Sequence, residues 1–465
     1  MRPLPLILRA VLSLGVMIAL SGCVLKPKGA DEEHKRLSDA GQTYRDSFEK
    51  RQLPELPAKA DWPVVLQRAF LANGDLESAY FEWKAAMERI PQAATWPDVN
   101  LTPSFSYLFS GDKMKSWDRT TVNVGWQTSM PRLPTKVAQA GKVALDEARV
   151  AGEKFRAAKF DLQRKVLTSY LDIALLAEKV RIQQDNVSLL KLLQDGAADR
   201  VRAGASQQDM LRAQTEYRLA ENELLNMQSE LRAMKAMLNA MLARSVDAPI
   251  DLPDELPAPR RVAVDDAKLI AVAVDANPDL ARLAQQVQGR TDAVELARME
   301  WIPDIAPFAG FTGNVSQVVG AMVMVPTTIP KIQGMIDESR AMLQSSQAML
   351  RQGRYDRAAS FVAALYLMRT SERQADLFEQ TVLPLAEETL SSSRQSYSTG
   401  TGRFIDLVDS QRTLLNVRLM IAEVRIEREK RLAEMEALAG TDVETLAGPT
   451  TVPATRAATT TTSTP

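Results

Sequence analysis

Two carboxylates raise the first chemical question. Asp406 and Asp409 follow a glycine-broken segment, Tyr397-Ser-Thr-Gly-Thr-Gly-Arg-Phe-Ile-Asp-Leu-Val-Asp-Ser-Gln411. Three residues apart on a helix, they share one face. Such a pair is either an acid/base couple or the plain negative charge that suits a solvated helix start. A weaker copy stands at Val201-Arg-Ala-Gly-Ala-Ser-Gln-Gln-Asp-Met-Leu-Arg-Ala-Gln214, where Gly204, Asp209 and Gln214 line up with Gly400, Asp406 and Gln411. Other chemistry is sparse. The chain has one histidine, His34, and one cysteine, Cys23, so neither a metal-ligand cluster nor a nucleophile with its base can be assembled from them. No Gly-x-x-x-x-Gly-Lys-Ser/Thr loop is present to cradle a nucleotide. A hydrolase built on Asp406 and Asp409 lacks a pocket motif, and the expectation is a protein that is not an enzyme, with no cofactor and no metal. The balance of 57 basic against 58 acidic residues leaves no surplus for nucleic acid.

The N-terminus carries an address. Arg2 and Arg9 precede an apolar run, Ala10 to Leu20, too short for a stable membrane-spanning helix, and Leu20-Ser-Gly-Cys23 closes it with small residues. That box resembles the one in bacterial lipoproteins, which implies a signal peptide over 1–22 and a diacylglycerol on Cys23. A cysteine there by chance is the plainer reading. Residues 23–72 are charged and punctuated by proline, as in Leu53-Pro-Glu-Leu-Pro-Ala-Lys59, and read as an extended lipid-anchored tether. His34 lies in this polar run as a solvated bystander.

Beyond the tether the chain is internally duplicated. Asn73-Gly-Asp-Leu76 returns as Asn277-Pro-Asp-Leu280, Trp96-Pro-Asp-Val99 as Trp301-Ile-Pro-Asp-Ile305, and Pro131 as Pro326. The boundaries follow as a first repeat over 73–260, a second over 261–447, and a Thr/Pro tail over 448–465 without a core-forming pattern. Each repeat contains one strand pair, 101–127 and 305–325. Leu101, Pro103, Phe105, Tyr107 and Phe109 alternate with Thr and Ser, as in a strand with one face in lipid and one in water. A buried hairpin in a soluble domain fits the same alternation. Val318 to Val325 is apolar on both faces. Four strands cannot close a membrane barrel alone, since bacterial barrels have at least about eight.

A helical hairpin follows each strand pair, over 135–245 and 331–440. No proline interrupts Thr135 to Ala203, which as one helix would be roughly 100 Å long. Val166, Tyr170, Ile173, Ala177 and Val180 step by four and three, with Leu167, Leu171 and Ala174 as a neighbouring seam. The return helix repeats the step in Leu224, Met227, Leu231, Met234, Leu238 and Met241. Two seams on one helix suit packing on both sides, as in a cylinder. Pro384 predicts a bend in the second outgoing helix.

Taken together, the duplicated unit, the two Asn-x-Asp-Leu starts and the Tyr397 to Gln411 segment resemble the TolC-type outer-membrane efflux proteins, from about Pro63 to Ala447. The resemblance implies a mainly α fold with a membrane β-barrel. In it a homotrimer shares a twelve-stranded barrel, four strands from each protomer, above a periplasmic α-barrel of coiled-coil helices. It implies the outer-membrane channel of a tripartite efflux pump or type I secretion system. That channel is a passive conduit for drugs or metal ions, lipid-anchored at Cys23 in the outer membrane with its helices in the periplasm. Its partners would be two further copies, a periplasmic adaptor, an inner-membrane pump and outer-membrane lipid. A lipid-anchored coiled-coil scaffold without a pore is the alternative. The resemblance also assigns a constriction to Asp406 and Asp409, as stacked carboxylate rings raising one another's pKa, with Tyr397 donating to Asp209 as a latch. The tips Gly204, Ala205 and Ser206 with Gly400 and Thr401 become the adaptor-docking surface, or plain helix caps. Gly204 to Asp209 is one residue shorter than Gly400 to Asp406, so the two tips turn differently.

Overall fold

The computed structural model describes residues 24–441 except 58, 97–98, 108, 110–119, 129–131, 203–206, 252–255, 258, 261, 263–265, 268, 271–275 and 313–315. The signal peptide, Cys23, the tail over 448–465 and the tip residues Gly204, Ala205 and Ser206 lie outside this set. In chain order the elements are α1 (Ala30–Ala40), α2 (Trp62–Ala72), α3 (Gly74–Ala94), β1 (Val99–Tyr107), β2 (Thr120–Thr128), α4 (Pro134–Arg202) and α5 (Gln207–Met241). There follow α6 (Pro278–Met299), β3 (Asp304–Thr312), β4 (Ser316–Met324), α7 (Ile329–Leu377), α8 (Leu383–Ser398) and α9 (Phe404–Ala439). Helix, two strands and a helical hairpin thus occur twice in the same order. Two compact units divide the chain, one of residues up to 51 with 74–158 and 278–355, the other of 52–73, 159–277 and 356 onward.

The first unit holds the strands. They form one antiparallel sheet in the order β1-β2-β3-β4. Cross-strand partners share a face, and the register puts Phe105 opposite Val122, Pro103 opposite Val124, Ala309 opposite Val319 and Ile305 opposite Val323. One face is therefore apolar, and the other carries Thr102, Ser104, Ser106, Gly125 and Gly310 together with Phe308, Val318 and Met322 of the second strand pair. The apolar residues stand exposed, Phe105 at 70% and Val319 at 82%. Both prolines avoid the central ladder, as a residue without an N–H must. Pro103 is on edge strand β1, and Pro307 falls just past the β2–β3 pairing, which ends at Gln127 and Phe308. The irregular pattern of β4 has a local cause. Gly320 leaves room for the Phe308 ring, which a Cβ there would meet at 2.6 Å.

Where the sheet meets the helices, Lys136 is buried and its Nζ donates to Asp304 Oδ2 at 2.8 Å and the Ile302 carbonyl at 2.9 Å, while the Leu133 N–H donates to Asp304 Oδ1 at 3.1 Å. This explains the repeated Trp-Pro-Asp segment in its second copy: Asp304 anchors the start of α4 to β3.

The tether expectation fails here. Residues 30–44 are packed structure, with Ala30, Leu37 and Tyr44 in one core with Tyr80, Trp83, Met87 and Ile90 of α3 and Leu145 and Ala148 of α4. Arg51 fixes the end of this segment by a bidentate bond to Glu77 at 2.8 and 2.5 Å and by lying 5.2 Å from the Tyr44 ring. Apart from Glu33, which is buried, the charged residues of α1 form its outer face, with His34 among them. They concealed a narrow stripe whose apolar members are only Ala30 and Leu37.

In the second unit, Val166, Tyr170 and Ile173 are buried, and so are Leu167, Leu171 and Ala174, so α4 uses both seams. The stripe of α5 is different, with Leu238 buried but Leu224, Met227, Leu231 and Met234 only half-covered. Helix α9 packs Leu407, Leu414, Val417 and Ile421 against Ala386 and Leu390 of α8. A π-helical turn over Phe378–Val382 precedes Pro384, the kind of irregularity by which a helix accommodates a missing N–H. Among the described residues no helix is long and apolar enough to cross a membrane.

Candidate functional site

The turn between α8 and α9 is built from its backbone. Gly400 adopts φ +78°, where a Cβ is costly. Its N–H donates to the Tyr397 carbonyl at 3.2 Å, and the Thr401 N–H reaches the Ser396 carbonyl at 3.0 Å. These are the two bonds of a Schellman closure. Hydroxyls complete it, Thr401 Oγ1 donating to the Ser396 carbonyl at 3.1 Å and Ser398 Oγ to that of Gln395 at 2.7 Å. Gly402 lies flat on the helix end, since a Cβ there would stand 2.9 Å from Ser396 Cβ.

Arg403 then starts α9 in an extended conformation. Phe404, Leu407 and Val408 point inward, and this places Asp406 and Asp409 on the exposed face, as their spacing predicts. Arg403 grips Asp406 with Nε at 3.2 Å from Oδ2 and a terminal nitrogen at 2.9 Å from Oδ1. Within the single chain that bond holds the Asp406 carboxyl below its ordinary pKa. Asp409 has Arg412 at 3.9 Å, and Arg412 also pairs with Glu216 of α5. Each carboxylate therefore has a cation beside it within its own protomer.

Among the described residues no hydrogen bond joins the side chains of Tyr397 and Asp209. Arg200, in the last turn of α4, takes that place. It donates to the carbonyls of Tyr397 at 2.7 Å and Ser398 at 3.2 Å, and its guanidinium stands 4.2 Å from the centre of the Tyr397 ring. The ring's other contact is Phe404, at 5.5 Å, within a cluster that includes Ala197, Met210, Ala213 and Val408. Asp209 is half-buried one residue from Met210, close in sequence to the cluster but not bonded to the ring. The carbonyls that end α8 can accept a further hydrogen bond from a cation, which a carboxylate cannot supply. Arg200 and Arg403 were legible only as a base in a last helical turn and a base three residues before an acid.

Behind the turn, Gln411 is buried and donates to Asn186 Oδ1 at 3.2 Å. It lines a cavity of about 340 Å³ with Ile182, Leu390 and Leu414. Among the described residues no group of three or more His, Cys, Asp or Glu could hold a metal ion.

Comparison with known proteins agrees with this architecture. The model of the outer membrane efflux protein family matches residues 269–441. The cobalt-zinc-cadmium resistance protein CzcC of Cupriavidus metallidurans is 23% identical over 380 residues, covering 79% of this chain and 88% of that protein. The outer membrane protein VceC of Vibrio cholerae superposes with a TM-score of 0.71 at 18% identity, over 82% of this chain and 96% of its own. CusC gives 0.72 at 15% identity, over 86% and 97%. Over residues 269–441, then, the chain is similar to the outer membrane efflux proteins, and its fold is that of solved outer-membrane channels.

Proposed function

We propose that three copies of this chain form the outer-membrane conduit of a tripartite efflux system. The observation that carries this is the sheet: four strands, each of nine residues, with one apolar exposed face and two unpaired edges, β1 and β4. Nine residues suit a tilted membrane strand, and in lipid an open edge is untenable. Closing β4 of one copy on β1 of the next satisfies every edge when three sheets meet. The helices favour the same assembly. On α7, Met335, Met342 and Met349 recur every seventh residue and stand exposed, and the α5 stripe is half-covered, as faces awaiting a neighbour would be.

A lipid at Cys23 agrees with the fold nearby. Val24 bridges to Thr95, and the Leu25 N–H donates to the Ala94 carbonyl at 2.9 Å, just ahead of β1. An acyl chain on the preceding residue would enter the leaflet at the foot of that strand. The turn at Gly400 and Thr401, with Gly204, Ala205 and Ser206 on the other hairpin, is the surface we assign to the adaptor. An inner-membrane pump supplies the energy through that adaptor. Similarity to a cobalt-zinc-cadmium resistance protein favours divalent metal ions over drugs as cargo.

The test is the purified lipoprotein in detergent. A mass of three chains and discrete single-channel currents in planar bilayers are expected; a monomer that never conducts would leave the scaffold reading. Thr401→Trp should keep the trimer in the outer membrane yet abolish crosslinking to the adaptor. Full crosslinking by that variant would return Gly400 and Thr401 to a capping role alone. For cargo, cells lacking the protein should accumulate zinc, cobalt or cadmium, and unchanged metal content with raised drug content would reverse the assignment.

A further inference from the structure

The first unit contains a second pair of acids, far in sequence from the turn at Gly400. Asp146 of α4 and Asp292 of α6 are 1% and 4% exposed. The two helices come close because residue 289 is glycine: a Cβ there would stand 3.2 Å from Asp146 Cβ. Asp292 is fully served. Lys142 Nζ donates to its Oδ1 at 2.7 Å, Gln288 Nε2 to its Oδ2 at 3.1 Å, and Gln139 Nε2 to its backbone carbonyl at 2.9 Å. Asp146 is served on one oxygen only, by Arg149 at 3.3 Å to Oδ1, and its Oδ2 is buried without a donor. Gly289 lies one turn before Asp292, so the two carboxyls sit at the same helix crossing, each shifting the other's charge state.

Two buried carboxylates in contact repel, and a buried oxygen without a donor is expensive. One proton removes both faults: on Asp146 Oδ2 it makes that oxygen a donor to Asp292. We propose that Asp146 and Asp292 share one proton and that this proton staples α4 to α6, so that the crossing tightens in mild acid and loosens toward neutrality.

The surrounding charges support the division of roles. From α4 come Lys142 and Arg149, from α6 Asp292 itself, and from α1 Glu33 and Arg36, of which Arg36 pairs both with Glu33 and with Glu153 farther along α4. Burial, and then the hydrogen bond and charge of Asp292, push Asp146 up to about 7. Asp292 is raised by burial, but the bonds from Asp146, Lys142 and Gln288 outweigh this and leave it below its ordinary value. The sign follows for each acid. Asp146, raised in the folded state, gives stability that is whole at the unfolded carboxyl value and is lost as pH climbs to about 7. Asp292, lowered, gives stability that is lost only in stronger acid. The pair is therefore at its best in mild acid and has lost the contribution of the shared proton above neutrality.

The experiment is an infrared pH titration of the purified full-length protein, set beside Asp146→Asn. The wild type should show the carbonyl stretch of a neutral buried carboxylic acid, titrating away with a midpoint near 7, and the variant should lack it. Denaturant unfolding supplies the second readout. Between about pH 5 and 7 the unfolding constant of the wild type should rise on the order of fiftyfold relative to that of Asp146→Asn, whose amide donates to Asp292 at every pH. If Asp146→Asn does not fold, Asp292→Asn serves, and there the midpoint should drop toward the ordinary carboxyl range. A wild-type spectrum without the acid stretch, or a ratio of unfolding constants that is level across that range, overturns the proposal.

Discussion

Arg403 sets how much of the charge on Asp406 is left uncompensated. The pair is exposed, so the effect is one of field and geometry rather than stability. Arg403→Ala should raise cation preference, read as a shift in reversal potential under a salt gradient, and Asp406→Asn should lower it. Equal reversal potentials in both variants would remove this turn from the conduction path. At the neighbouring tyrosine the structure separates ring from hydroxyl. Tyr397→Phe keeps the platform for Arg200 and should be nearly silent in conductance. Arg200→Ala loses a cation–π contact and two carbonyl bonds, together about 1–3 kcal/mol of local stability. Amide exchange at residues 395–399 should then quicken, by up to about a hundredfold. If Tyr397→Phe alone opens the channel, the hydroxyl has a partner in the assembled trimer, and Asp209 is the first to examine.

Elements are held at their ends. Lys136 is buried against Asp304, and removing one member of a buried pair leaves the other uncompensated, at a cost of about 3–5 kcal/mol. Lys136→Met should accordingly lower the temperature at which the protein unfolds or dissociates, while Lys154→Met, whose partner Glu82 is exposed with it, should not. The long helices and the strands were legible because periodicity is a local property: Val166 to Val180 and Phe105 to Phe109 state their own faces. The packing of α1 was not. Its apolar residues are too few to register as a stripe, and they matter only because Tyr80 and Trp83, far along the chain, complete the core. At the candidate site the acids announced themselves by spacing, whereas Arg200 acts through backbone carbonyls of another hairpin, a partnership that leaves no mark in local sequence. The shared cluster beneath Tyr397 was likewise assembled from both hairpins.

At the scale of the whole molecule, the two repeats do not fold as beads on a string. Strand β2 of the first pairs with β3 of the second, from Asn123 opposite Thr312 to Gln127 opposite Phe308. That seam imposes an order of events in time. A chain still emerging can close β1 on β2, but a lone two-stranded ribbon is marginal in water. The central ladder must wait for a partner nearly two hundred residues downstream, with the whole of α4 and α5 in between. Completion of the sheet is thus a late step, and until then the apolar face of β1 and β2 lacks the strands that flank it. A fragment ending after α5 should therefore aggregate, however well its own helices form.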